Sequence, residues 1–468
     1  MEAIKSINSA INSFVWGPVM LALLVGTGVY FTFRIGFPQL AHFGHAMKNT
    51  LGKVFVKTTA GKGEMTPFQA VSTALASTVG TGNIAGVTGA IVLGGPGAVL
   101  WMWISAFFGM CTKFCEVTLA IKYRERNAEG DWVGGPMYYI KNGLGAKWKW
   151  LGVLFAFFGA LCAFGIGNLT QINSIASTVC NVAQVFTPSV LSEQTLFIIA
   201  LVTGILVAAF AAITLIGGVS RIGQVTERLV PFMAVVYIIC ALVVVIVNIK
   251  NLPATLATIF KGAFNPQAAV GGIAGFTVMN AMKRGVARGV FSNEAGLGSA
   301  PMAHASSSET NPVKQGLYGI FEVFIDTIVV CTLTALVVLQ TGVADFGNKD
   351  LAGAQTTVLG FQSVYGDKIG SVILALGLLL FASSTILGWA LYGVRCAEFL
   401  FGPKVIRPYE ILFCIVVIIG SVTELPLVWD IADTLNGLMA IPNLIGLLAL
   451  SPVVIKLGRE YFAEAKKK

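Results

Sequence analysis

The sequence predicts an all-α membrane protein: one N-terminal helix, then ten core helices in two five-helix halves inserted with opposite orientation. Three observations lead there. Only 11% of residues are charged and 56% are hydrophobic, with a mean hydropathy of +0.80, whereas a soluble domain carries roughly 25% charged residues. Apolar runs of about twenty residues, long enough to cross a hydrocarbon core, recur along the whole chain. Lysine and arginine gather in every second connection between those runs, as they do on the cytoplasmic side of membranes.

The runs lie near 14–34, 67–93, 97–121, 150–181, 192–217, 229–249, 268–291, 315–341, 368–399, 409–428 and 433–457, eleven spans in all. The first is an accessory helix and the others are core helices one to ten. Residues 1–66 hold the accessory helix and a loop, 67–249 the first five-helix half, 268–457 the second, and 458–468 a basic tail. The basic connections are Arg34 to Lys62, Lys122 to Lys149, Arg221 with Arg228, Lys283 to Lys314, Arg395 to Arg407, and the tail from Lys456. The others hold only Lys5, Lys250, Lys261, Lys349 and Lys368. This bias puts the N-terminus outside and Lys466, Lys467 and Lys468 on the cytoplasmic side. Because five is odd, two five-helix halves must insert oppositely, as in carriers built on inverted repeats. Residues 1–13 lack the basic, apolar, small-residue order of a cleavable signal. The net charge of +9 is spread over membrane-flanking loops, which argues against nucleic acid as a partner.

Core helix one carries Ser77-Thr78-Val79-Gly80-Thr81-Gly82-Asn83 at its centre. Glycine lowers the cost of unwinding, and the backbone groups so freed must face protein or a watery cavity. A packing face would account for Gly80 and Gly82 alone; with the hydroxyls and Asn83 beside them, a binding site is favoured. Core helix six opens Val270-Gly271-Gly272-Ile273-Ala274-Gly275-Phe276-Thr277-Val278-Met279-Asn280, again dense in glycine, and a second interruption is expected there. Two broken helices offer positive N-terminal and negative C-terminal ends to one solute. A small zwitterion, with carboxylate and ammonium close together, suits both. Neither break contains Asp, Glu, His or Lys, so sodium on neutral oxygens is a more natural coupling ion than a proton.

Other polar residues fall at membrane depth. Gln171 in core helix three is placed to bond a carboxylate or to brace an unwound segment, with Asn168, Thr170 and Asn173 nearby. In core helix eight Ser383, Ser384 and Thr385 are followed one turn later by Trp389, which makes a cation site there plausible beside ordinary hydroxyl back-bonding. Phe164, Phe276 and Trp389 are candidate cavity walls or simple packing. Glu322 and Asp326 lie one turn apart in core helix seven; pairing with Lys283, Arg284 or Arg288 as a gate, or a buried structural ion pair, would account for them. Lys113 and Glu116 read as interfacial, and the connection 292–301 as a short helix closing the inner mouth. The eight cysteines fall in apolar segments, and His42, His45 and His304 form no metal pattern. Phosphate-cradling GxxxxGK[ST], HExxH and GxSxG motifs are absent, so an enzyme or ATP-driven pump is not expected.

Gly80-Thr81-Gly82-Asn83-Ile84-Ala85-Gly86-Val87, followed by Gly94-Gly95-Pro96-Gly97 and Trp101-Met102-Trp103, resembles the alanine or glycine:cation symporter family. So does Arg288-Gly289-Val290-Phe291-Ser292-Asn293-Glu294-Ala295-Gly296-Leu297-Gly298-Ser299-Ala300-Pro301. The resemblance covers essentially the whole chain. It implies the leucine-transporter fold plus one N-terminal helix, and sodium-coupled, less often proton-coupled, uptake of small neutral amino acids, alanine or glycine by default. It also implies a substrate carboxylate on Thr81, Gly82 and Gln171, and an ammonium on carbonyls near Phe276 and on Thr385. Phe164, Phe276, Met279 and Trp389 would confine the side chain. Sodium would take carbonyls of Ala76, Val79 and Ala382 and hydroxyls of Ser384 or Thr385, and Asn83 would brace the unwound turn. Asn280 departs from the apolar residue expected there, and a polar group in that place would admit glutamine, asparagine or serine.

Overall fold

In the structure, a computed structural model, all residues are described except 1, 54–59, 62, 266–276, 424–425 and 466–468. An amphipathic helix, Glu2–Val15, lies ahead of the accessory helix Pro18–Ile35. Core helix one starts at a capping box, in which Thr66 and Gln69 satisfy each other's backbone amides, with Pro67 in its first turn. It then breaks: Pro67–Thr78 and Gly82–Gly94 are bent by 52°. Core helix two is Ala98–Tyr123. Core helix three runs Lys149–Phe164, passes a π-helical turn at Gly165–Leu169, and continues as Thr170–Phe186. Core helices four and five are Glu193–Ile216 and Gly218–Val247, the latter beginning well before the expected 229.

In the second half, core helix seven is Pro312–Gln340 with a π-helical stretch at Phe324–Cys331. Core helix eight is Asp367–Phe401 and core helix nine Ile406–Val422. Core helix ten is Pro426–Ala449, and a separate helix, Ser451–Ala465, takes up the part of the chain that its apolar run had suggested was still membrane-spanning. Helices Leu252–Phe264 and Ala354–Tyr365 occupy connections. Among the described residues nine helices are long and apolar enough to cross a membrane, or ten with the bent pair counted as one span.

Core helix six differs most from expectation. The glycines at 270–275 lie outside the described residues. The interruption that is described comes later, at 294–300, between Val278–Asn293 and the short helix Pro301–Ala305. That segment, expected to be a connection at the mouth, is buried throughout. A break forms where the backbone turns left-handed, which glycine permits most readily. Here Glu294, Gly296 and Gly298 do so, with φ of 55°, 91° and 84°.

The charged residues inside the bundle also pair differently. Lys113 and Glu116 are fully buried, not interfacial. Lys113 Nζ lies 3.3 Å from Glu322 and ties core helix two to core helix seven. Glu322 also receives His304 Nε2 at 3.0 Å, while Gln315 donates to His304 Nδ1 at 2.9 Å. His304 is therefore an interior residue. Lys283, Arg284 and Arg288 take no part in these bonds, so the expected partners of Glu322 and Asp326 are corrected.

One face of the bundle is sealed by polar contacts among basic connections. Two-residue strands Glu125–Arg126 and Trp132–Val133 pair antiparallel. The Trp132 ring lies between the guanidinium groups of Arg124 and Arg126, 4.2 and 4.1 Å from its centroid. Glu64 accepts from Arg126 at 2.5 Å, Trp132 at 3.0 Å and the Gly61 amide at 3.1 Å. Beside them Arg395 bridges Glu398 at 2.6 Å and Asp131 at 3.1 Å. The Met65 backbone pairs with residues 306 and 308, closing the same face over the short helix of core helix six.

Two outcomes are expected. Lys113→Met leaves Glu322 without its lysine in the interior and should cost about 3–5 kcal/mol of stability, with the double variant Lys113→Met/Glu322→Gln losing less than the sum; denaturation in detergent measures both. Partial burial raises the Glu64 carboxyl, but the Gly61 amide, Arg126 and Trp132 outweigh it and hold the pKa below its ordinary value. A depressed carboxylate stabilises above its unfolded pKa and stops doing so as pH falls through its folded value. The melting-temperature difference between wild type and Glu64→Gln should therefore be present at neutral pH, shrink as pH falls below about 4 and be lost below the depressed folded pKa.

Candidate functional site

The site grows out of backbone hydrogen bonds that are diverted from the helical pattern. In a regular helix the Gly80 amide would donate to the Ala76 carbonyl, and the Asn83 amide to the Val79 carbonyl. Instead Gly80 N–H donates to Asn83 Oδ1 at 2.8 Å, and Asn83 N–H to the Gly80 carbonyl at 3.2 Å. The freed Ala76 and Val79 carbonyls meet core helix eight, accepting from Ser384 Oγ at 3.3 Å and Thr385 Oγ1 at 3.4 Å. Both hydroxyls also reach the Phe381 carbonyl, at 2.8 and 3.0 Å. Five neutral oxygens thus gather between the two helices, a donor set that fits a small hard cation. The sequence reading had placed the Ala382 carbonyl here. Hydroxyls three and four residues along a helix reach back to Phe381, one residue earlier. Gly80 permits this approach, since a Cβ there would stand 2.5 Å from Thr385 Oγ1.

The second break is held in the same way. The amides of Ala295, Gly296 and Leu297 would normally bond the carbonyls of Phe291, Ser292 and Asn293. They go instead to Asn293 Oδ1 at 3.0 Å, Glu116 Oε1 at 3.1 Å and the Glu294 carbonyl at 3.2 Å. Asn443 from core helix ten donates to Glu116 Oε1 at 2.6 Å and to the Gly296 carbonyl at 2.8 Å. The result is a half-helix C-terminus facing the N-terminal end of Gly82–Gly94.

Asp326 joins the two breaks. Its carboxylate accepts from Asn83 Nδ2 at 2.6 Å, Ser292 Oγ at 2.8 Å and Thr327 Oγ1 at 2.7 Å. Three neutral donors replace the arginine or lysine expected. Asn83 therefore braces the unwound turn at one end and reaches Asp326 at the other.

Two cavities adjoin these elements. One of about 760 Å³ is lined by Thr81, Gly82, Asn173, Arg288, Phe291 and Asp433, among others, and opens at the face opposite the Glu64 and Arg395 seal. Below it a space of about 20 Å³ is bounded by Gly80, Gln171, Glu294, Thr385, Trp389 and Asn436, among others. Gly82, Ile166 and Phe291 border both. Thr81, Gly82, Gln171, Thr385 and Trp389 are thus brought together. The Gln171 amide is engaged at both ends: Nε2 donates to the Ile166 carbonyl of the π-helical turn at 3.0 Å, and Oε1 lies 3.5 Å from the Thr81 amide. It braces the unwound segment, the second of the two roles open to it.

Asn173 lines the larger cavity, whereas Phe164, Asn168, Met279 and Asn280 line neither. Phe164 packs against Tyr409 and Phe413, with centroids 4.8 and 5.6 Å away. Met279 is 53% exposed on the bundle's exterior. Asn280 donates to the Leu93 carbonyl at 2.9 Å, capping the end of core helix one, so the polar departure noted there serves a helix terminus. Asn168 and Asn173 donate to the backbone of core helix nine and the residue after it, at Phe413 and Thr423. Phe276 lies outside the described residues. Phe291, Glu294 and Asn436 border the smaller space and were not singled out for it. The spacing of Asp433, Asn436 and Asn443 along one side of an apolar helix was the available signal.

The sequence profile of the sodium:alanine symporter family matches residues 1–468. The sodium/alanine symporter AgcS of Methanococcus maripaludis is 48% identical over 458 residues, 97% of this chain and 96% of that protein. The probable sodium/glutamine symporter GlnT of Bacillus subtilis is 38% identical over 468 residues, 99% of this chain and 92% of that protein. Among solved structures, the fold is similar to that of MhsT in complex with L-phenylalanine, with TM-score 0.57 and 14% identity over 85% of this chain and 99% of that one. It is also similar to a manganese transporter of Eremococcus coleocola, with TM-score 0.54 and 15% identity over 87% and 82%. These are transporters of the leucine-transporter fold. With a profile match along its full length and a relative nearly half identical over almost all of it, the chain belongs to the sodium:alanine symporter family.

Proposed function

We propose that the protein is a secondary carrier that couples sodium entry to uptake of a small neutral amino acid by alternating access. The observation that carries this reading is the pair of freed carbonyls, Ala76 and Val79, meeting Phe381, Ser384 and Thr385 beside a cavity between two interrupted helices. Sodium would sit among those oxygens. The solute carboxylate would take the N-terminal end at Thr81 and Gly82, and the ammonium the C-terminal end at Phe291 to Asn293 together with Thr385. Two inverted five-helix halves, an N-terminus outside and a cytoplasmic-membrane location complete the proposal. The basic face sealed by Glu64 and Arg395 is then cytoplasmic, and the larger cavity faces outward.

Relatives named for alanine and for glutamine support amino-acid cargo of more than one size. The freed oxygens are neutral, which favours sodium over a proton. Purified protein in proteoliposomes should show saturable alanine uptake driven by a sodium gradient. Uptake driven equally by a pH gradient without sodium would overturn the coupling assignment, and unsaturable currents would mark a channel. Ser384→Ala and Thr385→Ala should each raise the sodium concentration for half-maximal uptake by roughly tenfold or more. Thr81→Val, and Gln171→Ala by releasing the brace on the Thr81 amide, should keep the detergent-purified protein folded yet abolish its thermal stabilisation by alanine; unaltered uptake in both would refute the carboxylate position.

A further inference from the structure

The smaller space has one polar wall that neither the family nor the diverted backbone explains. Asn436 of core helix ten borders it and is 1% exposed. Its Oδ1 has no hydrogen-bond partner among the described residues. The neighbouring hydroxyls and amide are engaged. Ser77 donates to the Thr73 carbonyl at 3.1 Å, Thr78 to the Ala74 carbonyl at 3.2 Å, and Thr385 to the carbonyls of Val79 and Phe381. Gln171 is held by Ile166 and Thr81, and the Glu294 carboxylate by the Ser299 hydroxyl. An orphaned acceptor at this depth is costly unless something in the space donates to it.

The size and surroundings of the space say what that donor is. About 20 Å³ admits a single small group such as one water or hydroxyl. In the symport reading the charged ends of a zwitterion take the Thr81 and Gly82 amides and the carbonyls released by the second break, at the edge of this space. The polar side chains that also line the space, Ser77, Thr78, Gln171, Glu294 and Thr385, are engaged as above, which leaves the Asn436 acceptor beside the apolar Ile166, Phe291 and Trp389. Resting on the amino-acid symport reading, we propose that Asn436 Oδ1 accepts a hydrogen bond from the solute's side chain, making this a carrier selective for a small hydroxylated neutral amino acid. A site built to bond a hydroxyl disfavours the isostere lacking it, because the buried acceptor is then left unpaired.

L-serine and L-2-aminobutyrate differ by a hydroxyl in place of a methyl, so they test this directly as competitors of labelled alanine uptake by the full chain in proteoliposomes. Serine should compete at roughly tenfold lower concentration or better in the wild type. Asn436→Leu should bring the ratio to one or invert it, and Asn436→Asp, which keeps an acceptor oxygen in place, should retain the serine preference. A wild-type ratio near one, or an unchanged ratio in Asn436→Leu, overturns the proposal and leaves a fixed water as the donor to Asn436. Should Asn436→Leu fail to fold, the wild-type ratio still decides. Absence of saturable, sodium-driven uptake of both labelled serine and labelled alanine by the wild type would instead sink the symport reading itself.

Discussion

Everything at the centre of this bundle depends on backbone hydrogen bonds being surrendered and their amides re-satisfied by side chains. An unsatisfied amide in hydrocarbon is too costly to persist, so a helix interrupts at depth only where replacements stand ready. Asn83 does this for the first break by taking the Gly80 amide. Asn293 and Glu116 do it for the second by taking those of Ala295 and Gly296. The carbonyls left behind are the chemically useful product. Asp326 then couples the two breaks through Asn83 and Ser292, so neither can rewind without disturbing the other.

That arrangement explains why the interior holds so many polar groups without a metal-binding cluster among the described residues. Glu116, Asp326 and Asn443 act on backbone and on one another; they are scaffolding for dipoles. Lys113, Glu322 and His304 fix core helices two, six and seven around the same breaks. Buried ion pairs are poor stabilisers compared with apolar packing but strongly resist rearrangement once formed. The polar seal around Trp132 differs: it is partly exposed and joins three connections to the end of core helix eight.

The asymmetry between the faces gives the molecule a direction. One face is closed by Glu64, Arg126, Arg395 and their partners, while the other leads through the larger cavity to the interruptions. The amphipathic N-terminal helix reaches that open side, where Asn12 holds Asp433 at 2.9 Å. Asp433 lies on the same helix as Asn436 and Asn443, so core helix ten runs from the cavity wall to the second break as one polar stripe.

Composition, the spacing of apolar runs and the alternation of basic connections determined the class of the protein, most span positions and the existence of the first break, because each is a local property of the chain. The glycines and hydroxyls of 77–83 mark an unstable helix on any background, and Ser384 with Thr385 marks a hydroxyl pair on one helix. The sequence by itself could not say what the freed groups would meet, since that depends on residues far along the chain, such as Glu116 for the Gly296 amide, Asn443 for the Gly296 carbonyl and Asp326 for the Asn83 side chain. For that reason the interruption at 294–300 is not expected from sequence, while the glycine-rich stretch expected to break lies outside the described residues. Tertiary structure also decided that Phe381 supplies the carbonyl beside Ser384, that Asn280 caps a helix, and that Asn436 borders the smaller space. Local chemistry sets what a residue is able to bond; only the packed bundle sets what it meets.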